Sequence, residues 1–294
     1  MKVETLAVRN FKNETRALYL AKAGINLALG EIMSGYRIVY LDNDGNVAFA
    51  GRKAGVIKTP AGDRAVTLEQ GTVKYSITDE NGRLDINTSS RDMIAALLRK
   101  TGVSGSELDV IADAMLDWRD ADSDYRLNGA ESEYYMSLPS PYAARNGRFE
   151  SVEDMLLVKG MTPAVFYGSG NVPLGGDIDI EDNTGKNAVG EDYMGIARFV
   201  TAKGGGSVNI NTAAEPVLES VFGKGRTNEI LARRETEGFF EQPIYGGAVT
   251  SNVFLIESTG ESEKIMISVK AIAEKTAANE VKLIYWKEGE HAPH

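Results

Sequence analysis

Two nine-residue stretches set the strongest limit on how this chain can fold: "GRLDINTSS" at Gly82–Ser90 and "GSVNINTAA" at Gly206–Ala214. They align without a gap, 124 positions apart (206 − 82). In each, an apolar strand-like end runs into Ile-Asn-Thr and a helical pattern follows at once. Strand-like runs lie before the first copy and after the second. The arrangement predicts a helical unit inserted into an α+β domain whose strands come from both flanks. Thr88 and Thr212 stand where a side-chain oxygen caps the orphan N–H groups of a helix start. Asn87 and Asn211 are expected to bond neighbouring backbone in a turn, and Pro216 fits a first helical turn. Each copy later reaches a Phe-Glu pair, Phe149-Glu150 and Phe240-Glu241. The Asn-to-Phe separations are 62 and 29, so the first copy carries 33 extra residues (62 − 29).

Around these copies the periodicity supplies the other elements. Val3–Ser34 reads as one long helix, with Leu6, Phe11, Leu18, Ile25, Leu29 and Ile32 recurring and Ala17, Ala21 and Ala28 on the same side. "YRIVYLD" and "VAFAG" flank the turn Asn43-Asp44-Gly45-Asn46, and "TVKYSITD" is a further strand. "SSRDMIAALLRKTG", "SGSELDVIADAMLDWRDA", "SVEDMLLVKGM", "AAEPVLESVFG" and "RTNEILARRETEG" read as helices. Ser89 or Ser90 caps the first, and a Ser-x-x-Asp start opens the third. "GIARFVTAKG" is a strand candidate in a Gly-rich stretch, and three alternating strands close the chain as a meander. The expected division is 1–84 with 212–294 as a discontinuous α+β domain. An inserted helical domain covers 85–245, in two related parts, 85–170 and 206–245.

Composition narrows the chemistry. With 294 residues and 43% hydrophobic content, the chain has material for real cores in two or three domains. It has no cysteine, and its two histidines, His291 and His294, lie among the last four residues. Thiolate sites, a His-dependent triad and a His-ligated zinc site lose their usual residues, and nothing marks two of the carboxylates as a glycosidase acid and base. The chain is read as non-enzymatic. A formal net charge of −10 favours cations over phosphate backbones.

The acidic stretch is the candidate metal site. Asp120, Asp122, Asp124, Arg126, Asn128 and Glu131 occupy positions 1, 3, 5, 7, 9 and 12 of a twelve-residue window, the ligand positions of an EF-hand loop. Position 6 is Tyr125 where that loop needs glycine, so the match is to an oxygen-rich loop with its own geometry. Asp117 and Glu133 extend the set of possible Ca²⁺ ligands. A solvated acidic loop without an ion has the same sequence. Asp177–Asp182 forms a weaker cluster, read as surface charge.

"NINTAAEPVLESVFGKGRTNEILARRETEGFF" has the look of a helix-hairpin-helix, with Gly223, Lys224 and Gly225 at its turn and Arg226, Arg233 and Arg234 beyond. Such a module binds DNA phosphates through backbone N–H groups. Glu215, Glu219, Glu229, Glu235 and Glu237, interleaved with the arginines, oppose that reading, so a DNA-binding protein is the alternative and no nucleic-acid partner is expected.

Taken together, "ALYLAKAGINLAL", "ITDENGRLDINT", "DWRDADSDYRLNGAESEYY", "FESVEDMLLVKGM" and "VNINTAAEPVL" resemble the K-type minor pseudopilins of bacterial type II secretion systems. The resemblance runs from about Thr15 to the last strand. It implies a pseudopilin fold, with a long N-terminal helix on an antiparallel sheet and an inserted α-domain of two sterile-alpha-motif-like parts. It further implies a subunit at the pseudopilus tip that supports export across the outer membrane, joined to the I- and J-type minor pseudopilins and in possible contact with secreted proteins. Members bind calcium near the insertion, which maps here onto Asp120–Glu133. An apolar segment and a prepilin-peptidase site are expected before Lys2, placing an inner-membrane anchor ahead of a periplasmic body. The partner face is expected on the Thr15–Ile32 helix, at Leu18, Ile25 and Leu29.

Overall fold

The computed structural model describes residues 2–33, 38–50, 64–170, 192–276 and 280–291. The Asp177–Asp182 cluster and His294 lie outside them. The chain forms two compact units. The first takes Met1–Asn81, Asn209–Thr212 and Glu237–His294; the second takes Gly82–Val208 and Ala213–Thr236. The expected insertion reached residue 245, whereas residues 237–245 and the four residues Asn209–Thr212 lie with the first unit.

In the first unit, helix α1 (Lys2–Met33) packs against a five-stranded antiparallel sheet. Its strand order is β3 (Arg64–Leu68), β4 (Gly71–Asp79), β7 (Val253–Ser262), β8 (Ile265–Lys275) and β9 (Val281–His291). Strands from both sides of the second unit meet at β4 and β7, with Val73 opposite Gly260 and Ile77 opposite Ile256. A small hairpin, β1 (Ile38–Leu41) and β2 (Val47–Ala50), turns at Gly45 in the left-handed region, and the Asp42 carboxylate accepts from the Asp44 and Asn46 N–H groups. The core joins Ala21, Ile25, Ala28 and Ile32 of α1 to Phe49, Ile77, Phe254, Ile256 and Val269. Two glycines set how closely helix and sheet approach. A Cβ on Gly24 would overlap the Ser258 side chain, and one on Gly260 would overlap the Ala17 carbonyl.

The seven-residue spacing in α1 misled one expectation. Because 3.6 residues per turn does not divide seven, residues at that step drift by about 20° each time. Ile32 and Ile25 are each 1% exposed, Leu18 and Leu29 are partly buried against the same core, and Phe11 has swung out to 71% exposure. Leu18, Ile25 and Leu29 therefore hold the protein's own core and are not a free partner face. Among the described residues of α1, the large apolar side chains that stand exposed are Val8, Phe11, Tyr19, Leu27 and Met33.

The second unit holds α2 (Arg91–Lys100), α3 (Gly105–Arg119), α4 (Ser132–Met136), α5 (Pro163–Tyr167), α6 (Glu215–Phe222) and α7 (Lys224–Glu237). Ser90 caps α2 by accepting from the Met93 N–H. The "SVEDMLLVKGM" segment forms a 3-10 turn over Glu153–Leu157 in place of an α-helix, with the Asp154 carboxylate accepting from Glu150 N, Ser151 N and Ser151 Oγ. The expected "GIARFVTAKG" strand reduces to two residues. Ala197–Phe199 is a 3-10 turn, and only β6 (Val200–Thr201) pairs, in parallel with β5 (Leu84–Asp85). Gly195, in the left-handed region, leaves no room for a Cβ beside Tyr167.

Candidate functional site

The two Ile-Asn-Thr copies fold alike, and their asparagines act over long distances. The Asn87 carboxamide donates from Nδ2 to the Phe149 carbonyl (3.0 Å) and accepts at Oδ1 from the Phe149 N–H (2.8 Å). Asn211 treats Phe240 identically, at 3.0 and 2.8 Å. The Phe of each Phe-Glu pair is thus the partner that each asparagine holds, at separations of 62 and 29 residues. In both copies the residue two earlier, Asp85 or Asn209, accepts the asparagine's own N–H. The expected local turn bonds of Asn87 and Asn211 are replaced by these clamps.

Thr212 is not a helix cap. Its hydroxyl donates to Asp79 Oδ2, which also accepts from Asn209 Nδ2 and Ser251 Oγ, while Asp79 Oδ1 accepts from the Asn81 N–H. The residue at the N-terminus of α6 is Ala214, without a side-chain bond. Burial pushes the Asp79 carboxyl above its ordinary value, against the pull of Ser251, Thr212, Asn209 and the Asn81 N–H.

The acidic stretch lies wholly in the second unit, between the end of α3 and the start of α4. An aromatic cluster fixes both ends. Trp118 of α3 meets Tyr135 of α4 edge-on at 5.2 Å and stacks with Phe149 at 6.4 Å. Arg119 ties the end of α3 to the first Asn-Thr copy through the Ile86 and Ser89 carbonyls. The ligand-bearing backbone is therefore set by helix ends, with Asp120 at the C-cap of α3 and Glu131 at the N-cap of α4.

Three of the seven expected ligands converge. Asp120, Asp122 and Glu131 each offer an oxygen, and these lie within 4.8 Å of one another. Glu131 is 5% exposed, and neither of its carboxylate oxygens has a hydrogen-bond partner; Asp120 Oδ1 is likewise buried without one. Burial, then Asp117, Asp120 and Asp122, push the Glu131 carboxyl up to about 7. The unpartnered oxygens, both of Glu131 and Asp120 Oδ1, belong to two of the three converging carboxylates, with the exposed Asp122 as the third. Buried carboxylate oxygens left without partners are costly unless a cation joins them. The donors are all hard oxygens, the chemistry of Ca²⁺ or Mg²⁺ and not of a thiolate or imidazole metal.

The other four expected residues stand elsewhere. Asp117, fully buried in α3, is held by Arg126 through its guanidinium and its backbone N–H. Asn128 turns away to Asp113 Oδ2, donating from N (3.3 Å) and Nδ2 (3.1 Å). Burial pushes the Asp113 carboxyl up, but Arg91 and Asn128 outweigh it and hold it below the ordinary value. Asp124 and Glu133 are exposed, and the Asp124 side chain takes no place among the converging oxygens. Position 7 of an EF-hand loop contributes only a carbonyl, whereas Arg126 acts here through its side chain. Its guanidinium reaches both Asp117 and Asp120 (2.7 Å to Asp120 Oδ2), and burial, which lowers its pKa, is outweighed by those two carboxylates, so it is raised. Gly129 makes room for this packing, since a Cβ there would overlap the Asp117 carboxylate.

In the described residues no helix is long and apolar enough to cross a membrane. At the helical hairpin of α6 and α7, Arg234 donates to the Ala213 carbonyl within its own unit, and burial lowers its pKa to about 10.

A long helix on an antiparallel sheet, interrupted in sequence by a helical unit that carries an acidic loop, defines an α+β fold of pseudopilin type. The fold matches a chain of the crystal structure of the GspK–GspI–GspJ complex from the enterotoxigenic Escherichia coli type 2 secretion system. The TM-score is 0.67 at 17% identity, covering 97% of this chain and 99% of that one. Residues 73–167 match the family profile of type II secretion system protein K, first domain. Protein K of Pseudomonas aeruginosa is 26% identical over 182 residues, 58% of this chain and 46% of the relative. Protein K of Pectobacterium carotovorum is 35% identical over 65 residues, 22% of this chain and 20% of the relative. The matches thus span less than half the length of either relative. Within that fold, the sequence similarity is to type II secretion system protein K, carried by residues 73–167 and by the two relatives above.

Proposed function

We propose that the protein is a non-enzymatic minor pseudopilin that caps the tip of a type II secretion pseudopilus and supports protein export, with its body in the periplasm. The observation that carries the reading is α1. One side of this 32-residue helix fills the core with Ala17, Ala21, Ile25, Ala28 and Ile32, while Val8, Phe11 and Tyr19, away from that stripe, stand exposed. An apolar helix face of this kind seeks a partner helix. In the structural relative a K-type chain is assembled with I- and J-type chains, and the same two classes are the partners proposed here. The inserted helical unit, with the two-part, sterile-alpha-motif-like organisation expected of it, is taken as the bulk that prevents another subunit from adding above.

The test is co-purification with the I- and J-type minor pseudopilins of the same secretion system. The parent is expected to elute as a ternary complex. Phe11→Glu with Tyr19→Glu is expected to lose it while melting at the parent's temperature, because these side chains are 71% and 67% exposed. A ternary complex that survives both substitutions contradicts the proposed face.

The acidic loop is read as a structural Ca²⁺ site. Glu131, Asp120 Oδ1 and Asp122 would hold the ion, with water completing a shell of six to eight oxygens. The unpartnered oxygens of Glu131 support it.

A further inference from the structure

We propose that Arg126 is a built-in competitor of the cation, setting how tightly the acidic loop holds Ca²⁺. The inference rests on the calcium reading above and adds a residue that tunes the site without ligating the ion.

Asp120 is shared. Its Oδ2 accepts from the Arg126 guanidinium at 2.7 Å and Oδ1 is buried without a partner, while the carboxylate as a whole converges with those of Asp122 and Glu131. The same guanidinium nitrogen, Nη1, binds Asp117 Oδ1. Asp117, Asp120, Asp122 and Glu131 sum to −4 when ionised, and Arg126 brings the cluster to −3 (−4 + 1). A Ca²⁺ ion then enters a site that already contains one positive charge, bonded to one of its own ligands.

Two opposite effects are conceivable for the guanidinium. It repels the ion, and it orders the carboxylates. The anchoring of the loop decides between them. Asp117 lies within α3, Asp120 is bonded through its N–H to the Leu116 carbonyl, and the Glu131 carbonyl accepts from the Tyr134 N–H at the start of α4. These residues keep their places by helix geometry. Asp122 is fixed separately, its carbonyl accepting from Asn146 Nδ2 and its side chain from the Asp124 N–H. Removing the guanidinium therefore lifts a repulsion more than it loosens the ligands. A unit charge against a divalent ion within several ångströms is worth at least an order of magnitude in affinity at the effective dielectric of a protein surface.

The same geometry gives Arg126 a second effect. With no ion, it is the one described cation bonded to Asp117 and Asp120, so it carries part of the ion's stabilising role in the calcium-free protein. Its loss should make folding more dependent on calcium.

The experiment is calorimetric titration of the metal-free protein with CaCl₂ at constant ionic strength, for the parent, Arg126→Gln and Arg126→Lys, with melts in EDTA and in Ca²⁺. Arg126→Gln is expected to bind about ten-fold tighter or more, to melt lower than the parent in EDTA, and to gain more from calcium. Arg126→Lys keeps the charge and is expected to bind within about three-fold of the parent. If the parent binds and Arg126→Gln binds equally or more weakly while folded, the competitor role is overturned and the calcium site stands. If both variants tighten equally, the fork geometry and not the charge is responsible, and the proposal is again overturned. If only Arg126→Gln binds, Arg126 fully replaces the ion in the parent: the competitor role is supported and the calcium reading falls. If none of the three binds, both are overturned.

Discussion

Asn87 holds both backbone polar groups of Phe149, 62 residues further along the chain, through a single carboxamide, and Asn211 does the same to Phe240. A carboxamide is the one short side chain that offers a donor and an acceptor side by side, as a peptide unit does. Aspartate lacks the donor, and threonine lacks the span.

Replacing Asn211 by Ala removes two bonds and leaves the buried Phe240 backbone groups without this partner. The expected cost is about 2–5 kcal/mol, read as a lowered midpoint in calorimetric melting. Asn211→Asp should be nearly as damaging, because a carboxylate would face the Phe240 carbonyl. A loss below about 0.5 kcal/mol for both would show that water replaces the clamp.

Gly260 of β7 meets the Ala17 carbonyl of α1 with no space for a methyl group. Gly260→Ala should push helix and sheet apart and cost about 1–3 kcal/mol. Gly225→Ala, in α7 with nothing near its Cβ position, is the control and should leave the melt unchanged or raise it slightly, since alanine favours a helix over glycine. Equal melting of the two variants contradicts the close approach.

Asp79 gives a pH dependence with a definite sign. Burial raises its folded-state pKa above the ordinary 3.8. Below the ordinary value both folded and unfolded states are protonated. Between the two values the unfolded chain releases its proton while the folded one keeps it, so stability falls as pH rises through that window. The melting difference between the parent and Asp79→Asn should therefore shrink from about pH 4 toward neutrality. A difference that widens with pH would mean that the four donors around Asp79 favour its charged form over burial.

Much of this was legible in the chain. The two Asn-Thr copies, the paired Phe-Glu dipeptides and the 33-residue difference between them located the motif that the structure repeats. What the sequence did not reveal was reach. Thr212 reads as a cap from its neighbours, but its hydroxyl goes to Asp79, 133 residues earlier. Phe11 and Ile25 share one apolar spacing, and only the drift of a seven-residue step around α1 separates an exposed side chain from a core one. In the acidic loop, the EF-hand-like spacing named Asp120, Asp122 and Glu131, which converge, together with Asn128, which turns to Asp113. Spacing reports which oxygens are close along the chain. It does not report which of them an internal cation such as Arg126 has already taken.

The proposed calcium site rests on three buried carboxylate oxygens that lack partners, both of Glu131 and Asp120 Oδ1, and a thermal melt tests it most directly. The metal-free parent is scanned in excess EDTA and then in millimolar Ca²⁺, beside the double variant Asp122→Ala with Glu131→Ala. Binding to the folded state alone adds about 2.7 kcal/mol at a free calcium of roughly one hundred times Kd. The parent should therefore melt several degrees higher with calcium, Mg²⁺ should substitute poorly because it needs a tighter octahedral shell, and the double variant should not respond. An unmoved parent, or a double variant that shifts as far as the parent, would contradict the site.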